Sequence, residues 1–313
     1  MASTAPATAL IAIDWGTSAA RGYRLSPAGD VLEARNGSLG IQAVPRGGYA
    51  EALASLVGDW REDAVPIIAC GMIGSRQGWV EAPYLACPAS LGALARAVVH
   101  PAGVPLAIIP GLMTRDAANL PDVMRGEETQ LVGSIGEIED RVLAVLPGTH
   151  SKWARVERGT VVDFATFMTG ELYAVLLEHS ILGRMAERGT ASAPNDAFDR
   201  GCARGLDAGG LTHDLFGART LALTQELSPA DVGEWLSGLL IGREIRDAHA
   251  WASRVGMEAS RVRVVGSAAL TGRYIRALGQ ADLVVERGPD AAAAHGMWQI
   301  ASAAGLLDPA RTR

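Results

Sequence analysis

Cysteine, basic charge and long apolar runs are all scarce in this chain of 313 residues. Its three cysteines, Cys70, Cys87 and Cys202, form no CxxC pair, which argues against a disulfide framework and a zinc cluster. The formal net charge of −6 argues against nucleic acid or an anionic membrane as the main partner. No apolar run approaches the ~18 residues that a membrane span needs, and no basic region precedes the first one, as it would in a signal peptide. The sequence therefore predicts a globular cytoplasmic protein without nucleic-acid or membrane partners.

The chain does have a large apolar fraction and one isolated lysine. Hydrophobic residues make up 49% and charged residues 20%, which at this length is enough to bury the cores of two domains. Among 28 lysines and arginines only Lys152 is a lysine. Ammonium and guanidinium differ in shape and hydration, so this position is either functional or an accident of an arginine-rich composition.

The pattern of apolar runs and turns predicts two similar cycles. A strand at 10–13 ends at Asp14 and the turn Gly16-Thr17-Ser18, and a hairpin follows over 22–34. A second strand at 142–146 ends at the turn Gly148-Thr149-His150-Ser151, followed by a hairpin over 152–167. The repeat predicts an internal duplication, and the alternation of strands and helices predicts an α/β protein.

The remaining patterns predict helices at 49–60, 90–99, 121–135, 170–182, 229–253 and 291–304, and strands at 66–70, 106–109 and 261–265. Residues 186–228 give no clear pattern beyond a loop at 190–196. We place the domain boundary so that residues 1–137 form an N-terminal domain and residues 138–313 a C-terminal domain.

The two glycine turns are candidates for binding phosphate. Glycine lets the backbone approach a ligand, and successive N–H groups of a turn can surround phosphate oxygens. Two such turns would hold a polyphosphate from both sides, and Asp14 at a strand end could bind Mg²⁺. Alternatively, each turn is only a strand-ending loop capped by a hydroxyl. The P-loop pattern GxxxxGK[ST] and the dinucleotide pattern GxGxxG are absent.

Other candidate groups lie beside these turns and near the start of the 121–135 helix. Lys152 could neutralise charge on a transferred phosphoryl group, or it could be a solvated strand residue. His150 could donate to phosphate or support its turn. Glu127 and Glu128 are candidates for the carboxylate that takes the proton of an attacking hydroxyl, although acids there also suit the helix dipole. Consecutive helical residues point about 100° apart, so one of them faces the ligand; we prefer Glu127, with Glu128 and Asp116 as alternatives.

The loop at 71–84 and the glycine after the 261–265 strand are further candidates. The loop contains side chains that could bind a hydroxylated acid, with Arg76 suited to a carboxylate; these residues are Ser75, Arg76, Gln77, Trp79 and Glu81. Alternatively, this is an ordered surface loop held by its aromatic residues. Gly266 and Ser267 could receive a base or ribose, or they could form an ordinary strand–helix turn.

Several of these segments resemble a known family. The segment from Ile13 to Ser18 and the strand ending at Gly266 resemble the phosphate and adenosine motifs of the superfamily of sugar kinases, hexokinase, actin and heat-shock ATPases. More closely, residues from about 10 to 304 resemble the 2-dehydro-3-deoxygalactonokinase family. The segments that carry this resemblance are Cys70-Gly-Met-Ile-Gly-Ser75 with Gly78-Trp-Val-Glu-Ala-Pro-Tyr84, Asp122-Val-Met-Arg-Gly-Glu-Glu-Thr-Gln130, Leu146-Pro-Gly-Thr-His-Ser-Lys-Trp153 and Phe167-Met-Thr-Gly-Glu-Leu172.

The resemblance implies two ribonuclease-H-like domains, with mixed sheets flanked by helices and a central ATP cleft. It implies ATP and Mg²⁺ as cofactors and phosphorylation of 2-dehydro-3-deoxy-D-galactonate at the 6-hydroxyl in galactonate catabolism. Gly16, Thr17 and Ser18 would form the first phosphate turn, residues 148–151 the second, and Gly266-Ser267 the adenosine element. One departure is that larger kinases of the superfamily usually carry Asp where this chain has Glu127 and Glu128.

Other functions stay open at this point. A kinase for 2-dehydro-3-deoxy-gluconate or another sugar acid differs from the preferred function by as little as one inverted hydroxyl. A non-catalytic actin-like nucleotide switch or a sugar sensor is a different class, and turnover of ATP that depends on a sugar acid would exclude it. The sequence also leaves a homo-oligomer open.

Overall fold

The chain forms two compact units in the computed structural model. The structure describes residues 7–61, 65–136, 141–187, 193–207, 209–257 and 261–308. Unit 1 takes its residues from 1–141, 156–163 and 291–313, and unit 2 from 142–155 and 164–290. The predicted domain boundary between residues 137 and 138 stays a prediction. The two units are divided differently, because the C-terminal segment 291–313 and the tip of the second hairpin, 156–163, group with unit 1.

The helices and strands follow each other in α/β order. Up to residue 134 they are β1 Leu10–Trp15, β2 Ala20–Leu25, β3 Val31–Gly37, α1 Tyr49–Val57, β4 Ile67–Gly71, β5 Tyr84–Ala86, β6 Ala89–Ser90, α2 Leu91–Arg96, β7 Leu106–Ile108, β8 Gly111–Arg115, β9 Pro121–Met124 and α3 Glu127–Ser134. The later ones are β10 Val142–Leu146, β11 Ser151–Glu157, β12 Thr160–Phe167, α4 Thr169–His179, α5 Asp196–Leu206, α6 Leu211–Leu223, α7 Val232–Arg254, β13 Arg261–Val264, α8 Ala268–Gln280, β14 Val284–Arg287 and α9 Ala292–Ala303.

Unit 1 is built on a mixed sheet with strand order β3-β2-β1-β4-β7. β1 is antiparallel to β2 and parallel to β4, and β4 is parallel to β7. The apolar residues of β1 are fully buried, because side chains on both faces of a central strand are covered. Trp15 continues this core, where it packs with the residues of α1. A second sheet, β5-β8-β9, belongs to the same unit.

Unit 2 repeats the topology of the first sheet. Its strands β12-β11-β10-β13-β14 have the same order as β3-β2-β1-β4-β7, and the two pairs β10–β13 and β13–β14 are parallel. Arg158 and Gly159 turn β11 into β12 with positive φ angles of 47° and 69°, as a two-residue hairpin turn requires. The predicted α/β fold class is confirmed, and the two sheets repeat one strand order, as the two similar cycles predicted. Within unit 1, the first residues of β12 pair with β6.

One predicted helix was wrong in its first half. The helix predicted over 121–135 begins only at Glu127, because Pro121–Met124 is a strand antiparallel to β8. Gly126 has φ 108° between them, a backbone conformation that side chains disfavour and that separates strand from helix.

The segment 186–228 contains two helices that the sequence analysis missed. α5 begins after Asn195, whose side chain accepts hydrogen bonds from the N–H groups of Ala197 and Phe198. A Cβ on Gly201 would lie 2.0 Å from the carbonyl oxygen of Trp235 on α7. Glycine lowers helix propensity, which hides α5 in the sequence, yet it permits this close helix packing. The predicted loop at 190–196 falls partly outside the described residues, and Asp196 already belongs to α5. None of the helices described is long and apolar enough to cross a membrane.

Candidate active site

Three acids of unit 1 approach one another where β1 and β4 end and α3 begins. Asp14 on β1 pairs with Cys70 on β4. A Cβ on Gly71 would lie 3.4 Å from Oδ1 of Asp14, and a Cβ on Gly126 would lie 3.2 Å from Cα of Gly71. Both glycines have positive φ, 89° and 108°. The three chain segments therefore come this close only because these two positions lack side chains.

Asp14 is half-buried and lies 3.9 Å from the Cys70 thiol, measured from Oδ1 to Sγ. Burial raises the pKa of Asp14, while the charge of Arg21 on the neighbouring strand opposes this rise. Among the residues that the structure describes, no group of three or more His, Cys, Asp or Glu side chains could hold a metal ion. Asp14 is therefore a single carboxylate at a strand end, with two neighbouring glutamates.

Glu127 and Glu128 differ in their environment. Glu128 is fully buried and accepts hydrogen bonds from the N–H of Gly126 at 2.6 Å and the hydroxyl of Thr129 at 2.9 Å. Burial and, to a smaller extent, the charge of Glu127 raise the pKa of Glu128 to about 8. Glu127 is only half-buried, and its Oε2 accepts from the N–H of Arg125 at 3.0 Å. At neutral pH Glu128 is thus mostly protonated, and Glu127 is the acid that a ligand can reach.

Asp116, the third acid considered for the base, has a local role in the structure. Its Oδ1 accepts hydrogen bonds from the N–H groups of Ala118 and Leu120, at 2.9 and 2.8 Å. These bonds close the turn between β8 and β9, as an Asp side chain commonly does.

The five candidate residues of the loop at 71–84 lie in different environments. Ser75 is buried, and its hydroxyl has no hydrogen-bond partner. The Arg76 side chain is 87% exposed and lies 3.6 Å from Glu81. Gln77 accepts a hydrogen bond from the hydroxyl of Tyr49 through its carbonyl oxygen, and Trp79 stacks on the Tyr49 ring at 5.8 Å. The aromatic contacts hold the loop, and Ser75 is the member that is turned inward.

Arg125 is a buried cation that the sequence analysis did not single out. It is 8% exposed, its Nη2 donates to the carbonyl oxygen of Ala82 at 2.8 Å, and its guanidinium lies 4.2 Å from the centre of the Tyr84 ring. The one sequence signal for a functional Arg125 was its position directly before Gly126 and the two glutamates. Nothing in the neighbouring sequence shows that Arg125 is buried and Arg76 is exposed.

The first glycine turn of unit 1 connects β1 to β2. The N–H of Gly16 donates to the carbonyl oxygen of Ala19 at 2.9 Å. The carbonyl oxygens of Gly16 and Thr17 accept from the N–H groups of Ile41 and Gln42, at 3.1 and 3.2 Å. Ser18 is exposed. The turn is therefore fixed by backbone hydrogen bonds, with its hydroxyl residues at the surface of the unit.

The second glycine turn lies against the first turn of α4 in unit 2. A Cβ on Gly170 would lie 2.4 Å from the carbonyl oxygen of Gly148. The N–H of Glu171 donates to the carbonyl oxygen of Thr149 at 2.9 Å, and the Glu171 carboxylate is bonded to Nε2 of His150. His150 thus has a partner that supports the turn, while both side chains stay partly exposed.

A buried hydrogen-bond network holds the strand that follows this turn. Ser151 Oγ lies 2.8 Å from the Tyr274 hydroxyl, which donates to Oε2 of Glu244 at 2.7 Å. Nε1 of Trp153 donates to Oε1 of Glu244 at 2.8 Å. Burial raises the pKa of both Glu244 and Tyr274. Ser151 remains a predicted phosphate ligand, but its hydroxyl belongs to this network here.

Lys152 lies between Ser151 and Trp153 on β11. Because successive strand residues face opposite ways, its side chain points away from the Glu244 network. It is 5% exposed and makes no hydrogen bond or ion pair with any residue that the structure describes. A lysine with a largely buried side chain and no acidic partner among the described residues favours an anionic ligand.

A cavity of about 250 Å³ lies beside the second turn in unit 2. It extends from Gly148 to the first turn of α8, at Ala269 and Leu270. Two nitrogens of Arg273 contact the Glu234 carboxylate at 2.7 and 2.8 Å in its wall, a pair the sequence analysis missed. Gly266 and Ser267 precede α8 without belonging to the lining, and the Ser267 side chain makes no capping bond.

Two units of one strand order, each with a glycine–threonine turn after its central strand, define a repeated α/β fold. The activator of 2-hydroxyisocaproyl-CoA dehydratase from Clostridium difficile, solved with bound ADPNP, shares this fold with a TM-score of 0.51 at 12% identity, over 96% of each chain. The model of the 2-keto-3-deoxy-galactonokinase family matches residues 14–300, and the chain belongs to that family of carbohydrate kinases.

Relatives in two bacteria agree with this assignment. The 2-dehydro-3-deoxygalactonokinase of Escherichia coli (strain K12) is 37% identical over 267 residues, which cover 85% of this chain and 88% of the relative. A crystal structure of a Sinorhizobium meliloti protein that was provisionally given the same enzyme name matches with a TM-score of 0.86 and 36% identity. That match covers 96% of this chain and 99% of the other.

Proposed function

We propose that the protein transfers the γ-phosphoryl group of ATP to the 6-hydroxyl of 2-dehydro-3-deoxy-D-galactonate, giving 2-dehydro-3-deoxy-6-phosphogalactonate and ADP. The observation that carries this proposal is membership of the family, whose name supports the substrate. Asp14 on β1 and the two glutamates that begin α3 support the chemistry, because phosphoryl transfer to an alcohol needs a carboxylate near the attacking hydroxyl.

Glu127 is the proposed base. It takes the proton of the 6-hydroxyl while that oxygen forms a bond to the γ-phosphorus and the bond from the γ-phosphorus to the bridging oxygen breaks, which releases ADP. Its partial exposure and its position beside the protonated Glu128 support this role. A carboxylate that a ligand can reach meets the geometric requirement of a general base. The buried Glu128 then holds the start of α3 through its hydrogen bonds with Gly126 and Thr129.

Unit 2 is the proposed nucleotide-binding unit. The second turn, with Gly148, Thr149 and His150, would bind phosphate oxygens, and Lys152 would neutralise their charge. The adjacent cavity would receive the adenosine part, with the Arg273–Glu234 pair in its wall. The buried network on Glu244 supports this role because it fixes β11 and holds the turn in one conformation, and catalysis of phosphoryl transfer depends mostly on positioning.

Mg²⁺ fits the residues of unit 1. This ion usually takes one or two protein carboxylates and completes its octahedron with water and phosphate oxygens, so the single half-buried carboxylate of Asp14 suits it better than it would suit zinc. Asp14 would hold the ion, and the ion would balance charge on the phosphates when bound. Gly16, Thr17 and Ser18 would contribute backbone and hydroxyl groups that bind phosphate oxygens.

The sugar acid would bind in unit 1, near the loop that contains Ser75 and Trp79. We place the reaction in the cytoplasm, where ATP is supplied, and in the breakdown of galactonate. A homo-oligomer stays a prediction.

Consumption of ATP by the purified protein tests the proposal. The assay compares 2-dehydro-3-deoxy-D-galactonate with its gluconate epimer, and we expect a higher kcat/KM for the galactonate form. A preference for the epimer would keep the kinase class and change the substrate. No turnover with either acid would refute the proposed function, and turnover that requires an acid would exclude a non-catalytic nucleotide switch.

A further inference from the structure

Arg125 carries a buried positive charge that the protein itself does not neutralise. Its Nε and Nη1 are buried without a hydrogen-bond partner, and only Nη2 is engaged, with the carbonyl oxygen of Ala82. Among the residues that the structure describes, no carboxylate lies within ion-pair distance of its guanidinium. Burial of a cation is costly unless an anion accompanies it, so this group favours an anionic ligand.

A second unpaired polar group lies in the adjoining segment. A Cβ on Gly74 would lie 3.0 Å from Nη1 of Arg125, so the guanidinium borders the backbone of Gly74. The next residue is Ser75, whose buried hydroxyl also has no partner. Two nitrogen donors thus lie next to the Tyr84 ring, and one buried hydroxyl belongs to the residue that follows the glycine they border.

The charge distribution separates Arg125 from the other arginine of this region. The Arg76 side chain is 87% exposed and already lies beside Glu81, so solvent and that carboxylate weaken its attraction for a ligand. Arg125 is screened by neither. Its unpartnered Nε and Nη1 lie on different edges of the guanidinium, and each can donate a charge-assisted hydrogen bond to a carboxylate oxygen.

We propose that Arg125, assisted by Ser75, binds the carboxylate of the sugar acid and selects acids over neutral sugars. This inference rests on the proposed function and names the group that recognises its substrate class. The carboxylate and the 6-hydroxyl are at opposite ends of the substrate's carbon chain. The backbone N–H of Arg125 donates to the candidate base Glu127, and the side chain of Arg125 extends to Gly74. Arg125 therefore lies beside both the proposed base for the 6-hydroxyl and the proposed site of the carboxylate. The Tyr84 ring, 40% exposed, lies over the guanidinium and separates it from solvent only in part.

The test compares the sugar acid with its primary amide, which keeps the shape and lacks the charge. We expect the wild-type protein to favour the acid by ~10² or more in kcat/KM, since a site built for a polar group rejects an analogue that cannot satisfy it. In Arg125→Met the ratio should fall to about 1–3, mainly through KM for the acid, with Arg125→Lys between the two. Arg46→Met, at an exposed loop position of unit 1, is the matched control and should keep the wild-type ratio.

The outcomes separate this inference from the proposed function. Failure of the wild-type protein to phosphorylate the acid would refute the proposed function. If the wild-type protein uses the acid, an equal preference for acid and amide would overturn the role of Arg125. A loss in Arg125→Met that is the same for both compounds would also overturn it, because that result indicates a structural role. Loss of the preference in Arg76→Met, and not in Arg125→Met, would overturn it as well. Should Arg125→Met fail to fold, the wild-type ratio and Arg125→Lys decide.

Discussion

The buried carboxyl of Glu128 predicts how stability depends on pH. Its pKa is raised from 4.5 to about 8 in the folded protein, so between these values the folded state binds more protons than the unfolded state. Stability must therefore fall as pH rises through this range. For one such group, linkage gives a loss of about 2 to 3 kcal/mol between pH 5 and pH 7 and about 5 kcal/mol in total. The loss between pH 5 and pH 7 corresponds to about 5 °C in Tm for a protein of this size.

Glu128→Gln removes this titration. A glutamine resembles the protonated glutamic acid, because its oxygen can accept from the N–H of Gly126 and its amide can donate to Thr129. We expect the Tm of Glu128→Gln to rise relative to wild type by about 5 °C between pH 5 and pH 7, measured by thermal unfolding at both pH values. The control is Glu51→Gln, at an exposed position of α1. A difference between Glu128→Gln and wild type that does not change with pH would refute the reasoning, since it would mean that Glu128 ionises normally in the folded state.

Three further predictions concern activity. Glu127→Gln should lower kcat by ~10² or more in steady-state assays because it removes the proposed base; a small loss would contradict that role. Lys152→Arg should lower kcat by ~10-fold, since a larger cation replaces a compact ammonium at a buried position, and an unchanged kcat would make the single lysine an accident of composition. Ala269→Trp should raise KM for ATP by ~10-fold by filling the cavity of unit 2, whereas the same change at Ala268, outside the lining, should not; equal effects would contradict the placement of adenosine.

Local sequence predicts the elements whose pattern is complete within a few residues. The strand at 142–146 and the hairpin over 152–167, which turns at Arg158 and Gly159, were confirmed. Both have strong local signals, a short apolar run and a turn that needs positive φ. The missed strand Pro121–Met124 has no such signal, because its pairing with β8 determines its conformation.

Groups that depend on distant parts of the chain could not be predicted in the same way. Trp153 and Glu244 are 91 residues apart in sequence and meet only through the packing of α7 on the sheet of unit 2. Arg125 and Arg76 look alike in the sequence, and only the fold buries one and exposes the other. The acids near Asp14 were predictable because Asp14 ends a buried strand and the two glutamates begin a helix. The roles of these acids and of the turns stay predictions.

The helix α9, which is synthesised late, packs against α3, which is synthesised much earlier. α9 packs on α3 so closely that a Cβ on Gly133 would lie 2.0 Å from the carbonyl oxygen of Ala292, and one on Gly296 would lie 1.9 Å from that of Thr129. The helix that carries Glu127 and Glu128 therefore gains its packing partner only after residues 292–303 leave the ribosome. Most of unit 2, at 164–290, is contiguous and emerges before that point. A chain cut before residue 292 would hold the residues of unit 2 and would lack the helix that covers α3 in unit 1.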